Sequence, residues 1–157
     1  MNGLDSLYQE LILDHSKRPI GRGELDAPAG TRVFEHHEFN PSCGDEITLR
    51  VAIDPSNNNF AELAWEGQGC SISTASASIL SQMVDEENWD TATATERINL
   101  FRELLRSKGV GIENDEPLGD AVAFQGVGKF VMRIKCAMLA WVALEADIAQ
   151  YAASENG

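Results

Sequence analysis

Alternating polarity between Glu46 and Ile53 is the sequence feature that most limits how this chain can fold. The apolar side chains fall on every second residue, at Ile47, Leu49, Val51 and Ile53. Because successive side chains of an extended strand point to opposite faces, this pattern predicts a half-buried β-strand. A turn-rich segment at residues 54–59 and a second alternating run from Ala61 to Glu66 follow, and together they predict an antiparallel hairpin.

Apolar residues at helical spacing predict the segments that cover such a sheet. Helices are expected from Leu4 to His15, over the run SISTASASILSQMV that follows Cys70, from Thr91 to Lys108, and from about Lys129 to Tyr151, and the last of these is expected to be the longest. Residues 33–39 are a candidate third strand, and residues 109–120 are expected to form a loop. Strands come early and helices late, without a βαβ rhythm, so the predicted class is α+β with a small antiparallel sheet of about three strands. With no repeat or linker in the sequence, a single domain over residues 1–157 is expected.

The charge balance limits the classes of partner. Acidic residues number 25 and basic residues 12, which gives a net charge of -13. Such a surface repels phosphate backbones and anionic lipids, so neither nucleic acid nor a membrane is expected as a partner. The first residues lack the features of a signal peptide, and the 3 cysteines form no even set, so reduced thiols in a cytoplasmic protein are expected.

The cysteines and one aspartate form the candidate site. Cys43 and Asp45 flank Gly44 in a turn before the predicted strand, Cys70 lies near a helix start, and Cys136 lies on the last helix away from its main apolar stripe. Three thiolates and a carboxylate satisfy tetrahedral zinc. Their spacing does not resemble the paired C-x-x-C of a zinc finger, however, so the residues alone leave open a metal or redox site and separate buried thiols.

Four ordered blocks resemble those of the IscU/NifU-type iron–sulfur cluster assembly family. They are LYQELILDHSKRP, NPSCGDEI, GQGCSISTASASIL and GVGKFVMRIKCAMLAW, and they span nearly the whole chain. The resemblance is to the SufU branch in particular. The classical scaffold has a histidine directly before its last motif cysteine and a shorter connection from the second, whereas this chain has Lys135 and an extra region around residues 89–118.

The resemblance implies a function and a set of partners. Cys43, Asp45, Cys70 and Cys136 match the positions that hold zinc in that branch. A SufS-type, pyridoxal-phosphate cysteine desulfurase is the expected sulfur donor, whose turnover the protein would stimulate, and a downstream cluster scaffold is a further candidate partner. The expected role is that of a sulfurtransferase-like sulfur acceptor.

Cys43 is the expected sulfur-accepting residue, because it lies on a glycine-flanked loop that can move. A ligand from the partner would replace it on zinc, and the released thiolate would attack the partner's persulfide. Three thiolates, one carboxylate and Zn²⁺ sum to a charge of about -2. Arg133 and Lys135 flank Cys136 and are expected to offset this charge, although a solvated helix face also explains them.

Two other functions use the same residues. In the first, the ligands hold an iron–sulfur cluster and the protein is a scaffold, although Lys135 stands where that scaffold relies on histidine. In the second, zinc is purely structural in a binding module.

The histidines are weaker ligand candidates. His36 and His37 are adjacent on a strand and point to opposite faces, so one metal cannot easily bind both. His15 is expected to cap the end of its helix. Tyr8 and residues 14–19 belong to one of the family blocks and are candidates for partner contact, although the residues alone favour a structural role.

Overall fold

A three-stranded antiparallel sheet organises the protein, whose computed structural model describes residues 3–156. The strands are β1 (Arg32–Asn40), β2 (Asp45–Asp54) and β3 (Asn59–Gln68), in the order β1-β2-β3. The central strand β2 carries the alternating run, and all four of its predicted inward side chains are buried. The predicted hairpin, the third strand and the α+β class are therefore confirmed.

The described residues form four α-helices: α1 (Gly3–Lys17), α2 (Ser71–Glu86), α3 (Thr91–Arg106) and α4 (Val131–Asn156). Helices α2 and α4 pack on the sheet, whereas α1 and α3 pack mainly on other helical segments. All four were expected from the spacing of apolar residues, and α4 is the longest, as predicted. Within residues 3–156, no helix combines the length and apolar character that crossing a bilayer requires.

The prediction of a loop at residues 109–120 is wrong at its C-terminal end. A 3₁₀ helical region spans Glu116–Lys129, with Gly119 interrupting its helical geometry. Ala123 is buried, and beyond Gly119 the other buried apolar residues recur at every third position, at Ala121, Phe124 and Val127. A 3₁₀ helix has three residues per turn, so this spacing places them all on one face, a period that a search for the α-helical repeat overlooks.

Aromatic packing joins α3, α4 and the 3₁₀ region. Phe101 stacks on Trp141 with ring centroids 4.1 Å apart, and Phe124 meets Phe101 edge to face at 5.9 Å. Trp89 lies 6.4 Å from Trp141, and Trp65 on β3 is also buried, so all three tryptophans lie in the core.

Ser76 fixes α2 against α4, the two helices that bring Cys70 and Cys136 toward the sheet. Its hydroxyl donates to the Ala137 carbonyl at 2.6 Å and accepts from Trp141 Nε1 at 2.9 Å. Buried polar groups with both bonds satisfied tolerate little displacement, so this contact sets the relative position of the two helices.

Candidate metal centre

The turn between β1 and β2 presents the first two candidate ligands. We refer to residues 40–45 as the ligand turn. The Asn40 carbonyl accepts from the amides of Cys43 and Gly44 at 3.4 and 2.9 Å. Gly44 has φ of 77°, a left-handed conformation that glycine adopts without a Cβ penalty. The turn therefore reverses the chain between Cys43 and Asp45, as the sequence predicted.

Asp45 connects the ligand turn to the start of α2. It is 4% exposed, and its Oδ1 accepts from the Cys70 amide at 3.1 Å. The Cys70 thiol lies 3.5 Å from Oδ2 of the same carboxylate. Cys70 is the N-cap residue of α2, and its own side chain does not cap that helix. Asp45 thus supplies the acceptor that the helix start needs.

The charge state of Asp45 follows from these bonds. Burial by itself raises the pKa of Asp45, but hydrogen bonds from the thiols of Cys136 and Cys43, from the Ser73 hydroxyl and from the Cys70 amide lower it further than burial raises it. The net pKa is below its ordinary value, so Asp45 is a carboxylate at neutral pH and is ready to bind a cation.

Cys136 brings the third candidate ligand from α4. Its Sγ lies 3.6 Å from the Sγ of Cys43 and 3.6 Å from the carbonyl oxygen of Met132. Burial, followed by hydrogen bonding with Asp45 and Cys43, raises the pKa of the Cys136 thiol well above its ordinary value. A bound divalent cation reverses this balance, because a thiol that ligates a metal loses its proton.

Two pairs of donor atoms are spaced as in a tetrahedral zinc site. One ligand atom each from Cys43, Asp45 and Cys136 lies within 4.8 Å of the other two. Zn–S bonds of about 2.3 Å and Zn–O bonds of about 2.0 Å place neighbouring sulfurs about 3.8 Å apart and a sulfur and an oxygen about 3.5 Å apart. The Cys43–Cys136 S···S distance is 3.6 Å and the Cys70–Asp45 S···O distance is 3.5 Å, so these two pairs match the spacing of zinc ligands.

Among the four predicted ligands, Cys70 lies outside the group of mutually close donor atoms. Its sulfur touches Asp45 but does not belong to the mutually close group formed by the other three. It also lies 3.6 Å from the hydroxyl of Ser73. Both Cys70 and Cys43 are exposed, whereas Cys136 is buried, so the site opens to solvent on the side of the first two cysteines.

Two residues that support the site were not anticipated from the sequence. Ser73, three residues after Cys70, contacts the Cys70 thiol and bonds to Asp45. Gly69 leaves room for both, since a Cβ there would collide with the Ser73 hydroxyl and lie 3.3 Å from Asp45 Cγ. The block Gly67-Gln68-Gly69-Cys70 is the sequence signal that indicates a close backbone approach.

The side chains of Arg133 and Lys135 line two different cavities. The Arg133 guanidinium lies 4.7 Å from the Phe130 ring centroid and lines a groove whose other wall includes Tyr8 and Ile12 of α1. Lys135 lines a cavity of about 230 Å³ beside Asn40 and Met138. Among the described residues neither forms an ion pair with Asp45, so their charge-offsetting role stays a prediction.

The histidines lie outside the group of close donor atoms. His36 bonds to Glu38 at 2.8 Å and His37 to Thr48 at 2.9 Å. His15, expected to cap α1, is buried and bonds to the Ser78 hydroxyl of α2 at 2.6 Å. Burial lowers the pKa of His15, although Asp120 and Asp14 oppose this effect. Its side chain therefore joins two helices.

The sequence matches the model of the NifU-like N terminal domain over residues 7–156. This chain belongs to that family. The zinc-dependent sulfurtransferase SufU of Bacillus subtilis is 40% identical over 147 residues, which cover 94% of this chain and 92% of that protein. The iron–sulfur cluster assembly scaffold protein IscU of Streptococcus pyogenes is 36% identical, over 99% of this chain and 91% of that protein.

Solved structures give the same result for the fold. A putative iron–sulfur cluster assembly scaffold protein for the SUF system from Fervidobacterium islandicum superposes with a TM-score of 0.72 at 26% identity, covering 93% of this chain and 99% of that one. The expected family is therefore confirmed. The names of the relatives divide between a sulfurtransferase and a scaffold, which are two of the three functions that the sequence left in competition.

Proposed function

We propose that this protein is a zinc-dependent sulfur acceptor for iron–sulfur cluster assembly, acting in the cytoplasm as one functional domain over residues 1–157. The observation that carries the proposal is the grouping of Cys43, Asp45 and Cys136 within 4.8 Å, with the Cys70 thiol on the same carboxylate. The B. subtilis relative, named as zinc-dependent and as a sulfurtransferase, supports the choice of metal and reaction.

Cys43, Asp45, Cys70 and Cys136 would hold the zinc. When bound, Zn²⁺ supplies a redox-inert positive charge that keeps thiolates unprotonated and shields them from oxidation. Asp45 keeps two elements in place during the reaction, since one carboxylate oxygen accepts from the Cys70 amide. Arg133 and Lys135 offset the excess negative charge of the thiolates from opposite sides of α4.

Cys43 is the residue that accepts sulfur. It is exposed on the ligand turn, next to a glycine, whereas Cys136 is buried on a packed helix. The Cys43 thiolate attacks the terminal sulfur of a partner's cysteine persulfide. One S–S bond forms on Cys43 as the partner's S–S bond breaks and its cysteine leaves as a thiolate, so no oxidant or reductant is consumed.

The surface around the site fits a protein donor. Phe39 lies just before the ligand turn, and Phe130, Val131 and Met132 lie just before Cys136 on the chain. All four are at least half exposed, with Val131 at 72%. Large exposed apolar side chains beside a reactive group are typical of a docking surface. A cysteine desulfurase of the SufS type is the proposed partner, and a downstream cluster scaffold is the proposed recipient.

The test mixes the zinc-loaded protein with cysteine and a SufS-type desulfurase and locates any persulfide by mass spectrometry. We expect the wild type to carry it on Cys43 and Cys43→Ala to carry none. Ser42→Ala is the matched control, because it alters the same turn without removing a thiol. Persulfide that accumulates at the normal rate on Cys43→Ala contradicts the assignment.

The second candidate function is that of a scaffold that carries an iron–sulfur cluster on the same ligands. The S. pyogenes and F. islandicum relatives, both named as scaffold proteins, favour it. Metal analysis of aerobically purified protein separates the two. About one zinc per chain without iron supports the sulfur acceptor, and iron with matching sulfide supports the scaffold.

A further inference from the structure

Asn40 holds an unsatisfied polar atom beside the candidate metal centre. In the described part of the chain, buried side-chain nitrogen or oxygen atoms without a hydrogen-bond partner occur on three residues, Asn40, Arg97 and Asp147. Asn40 is the one that belongs to the ligand turn. The atom concerned is Nδ2, the donor end of its side-chain amide.

The rest of Asn40 is fully engaged in building the turn. Its carbonyl accepts from the Cys43 and Gly44 amides, and its Oδ1 accepts from the Ser42 amide at 3.1 Å. These bonds fix the orientation of the side-chain amide, because Oδ1 and Nδ2 share one rigid plane. Nδ2 therefore cannot turn to solvent without breaking the bond to Ser42.

Asn40 belongs to the ligand turn and lies beside α4, the two elements that carry close sulfur atoms. Asn40 is 5% exposed, is the last residue of β1 and the first of the ligand turn, and lines a cavity together with Lys135 and Leu139 of α4. Cys136 lies between those two α4 residues in sequence, and its sulfur is 3.6 Å from that of Cys43. A buried N–H that lacks an acceptor is costly and rare, so an acceptor that arises in the working state is expected.

We propose that Asn40 is a positioning residue whose Nδ2 donates to the thiolate pair of Cys43 and Cys136 once both ligate a metal. A neutral thiol is a weak acceptor, whereas a metal-bound thiolate is an anion that attracts N–H donors. The donor would orient the sulfurs and remove negative charge from them without binding the metal itself. This inference rests on the proposed metal centre.

Two substitutions separate this role from simple turn formation. Asn40→Asp keeps an oxygen that can accept from the Ser42 amide but removes the N–H donor. Asn40→Ser does the same with a shorter, neutral side chain, so a loss shared by both variants does not arise from added charge. Asn57→Asp is the matched control, since Asn57 Oδ1 accepts from the Asn59 amide at 2.9 Å in the turn at the other end of β2.

Metal affinity and the cobalt spectrum are the measurements. Zinc competition with a chromophoric chelator should show about 10–100-fold weaker binding for both Asn40 variants. The sulfur-to-cobalt charge-transfer band of the Co²⁺-substituted variants should shift relative to wild type, because the sulfurs lose a hydrogen bond. Asn57→Asp should match wild type in both measurements.

Several outcomes overturn the inference. Wild-type affinity and an unchanged cobalt band in both Asn40 variants would show that Nδ2 does not contact the ligands. The metal-free Asn40 variants could also lose stability toward urea. If that loss accounted for the whole loss of zinc affinity, the role of Asn40 would be purely structural. Failure of the wild type to bind either metal would overturn the metal centre itself, a result distinct from the other two.

Discussion

The carboxyl group of Asp147 on α4 offers a quantitative test of how the core is built. Asp147 is completely buried, and in the described part of the chain neither of its carboxylate oxygens has a hydrogen-bond partner. Burial, with a smaller contribution from the negative charge of Glu35, raises its pKa from 3.8 to about 8. The folded protein therefore keeps a proton on Asp147 at neutral pH.

The sign of the effect on stability follows from this pKa. The unfolded chain releases the proton near its ordinary pKa, so between about pH 4 and about pH 8 the folded state binds more protons than the unfolded state. Stability from this group is present at low pH and is lost as the pH rises. Each pH unit in this window costs at most about 1.4 kcal/mol, so the loss from about pH 5 to about pH 7 is on the order of 2 kcal/mol.

Asp147→Asn removes this titration while conserving side-chain volume. The free energy of unfolding is measured with urea on metal-free wild type and variant at about pH 5 and about pH 7. The value for the variant minus that for the wild type should be larger at the higher pH by on the order of 2 kcal/mol. Comparing the two proteins at each pH cancels the titration of the thiols. Asp85→Asn, an exposed position on α2, is the control and should show no such gain. A stability difference between Asp147→Asn and wild type that stays constant between the two pH values would refute the reasoning.

Two further predictions concern the site and its surface. Gly69→Ala should weaken zinc binding by at least about tenfold in a chelator competition, because the new Cβ collides with Ser73 beside Asp45. Gly126→Ala is the control, because a Cβ at that position meets nothing within 4 Å. Equal zinc affinities of the two variants would contradict the crowding argument. Val131→Ser should raise the concentration needed for half-maximal desulfurase stimulation by about three- to tenfold with zinc affinity unchanged, since it removes exposed apolar surface next to the site. Val33→Ser, at the other end of β1 from the ligand turn, should leave that concentration unaltered, and an equal effect of both substitutions would place docking elsewhere.

Local patterns explain why the hairpin and half of the candidate site were predictable from the sequence. The alternation in β2 fixes which face is buried, and Gly44 permits the reversal that brings Cys43 and Asp45 together. The approach of Cys136 is different, since it depends on how α4 packs on the sheet and on α2. Ser76 and Trp141 set that packing through bonds that no spacing rule reveals.

The features missed from the sequence share a physical origin in tertiary context. Asp147 is three residues from Leu144 and four from Tyr151, which places it on the apolar stripe of α4, yet a lone acid in a helix ordinarily faces solvent. The unsatisfied Nδ2 of Asn40 is likewise invisible in a sequence, because it becomes an orphan only after Oδ1 has bonded to Ser42. Hydrogen bonding and burial decide both cases, and neither quantity is periodic.

The location of the core bears on what zinc would do in this protein. The aromatic cluster of Phe101, Trp141 and Phe124 contains none of the four candidate ligands, and only Asp45, at the start of β2, lies on the buried face of that strand. Three of these ligands are instead held by hydrogen bonds that exist without a metal. The Cys43 amide donates to the Asn40 carbonyl, and the Cys70 amide donates to the Asp45 carboxylate. A metal that the fold does not need for its core can exchange a ligand without unfolding the chain. Ligands that are held in place without a metal argue against a purely structural zinc, and they are what a thiolate that leaves the metal to accept sulfur requires.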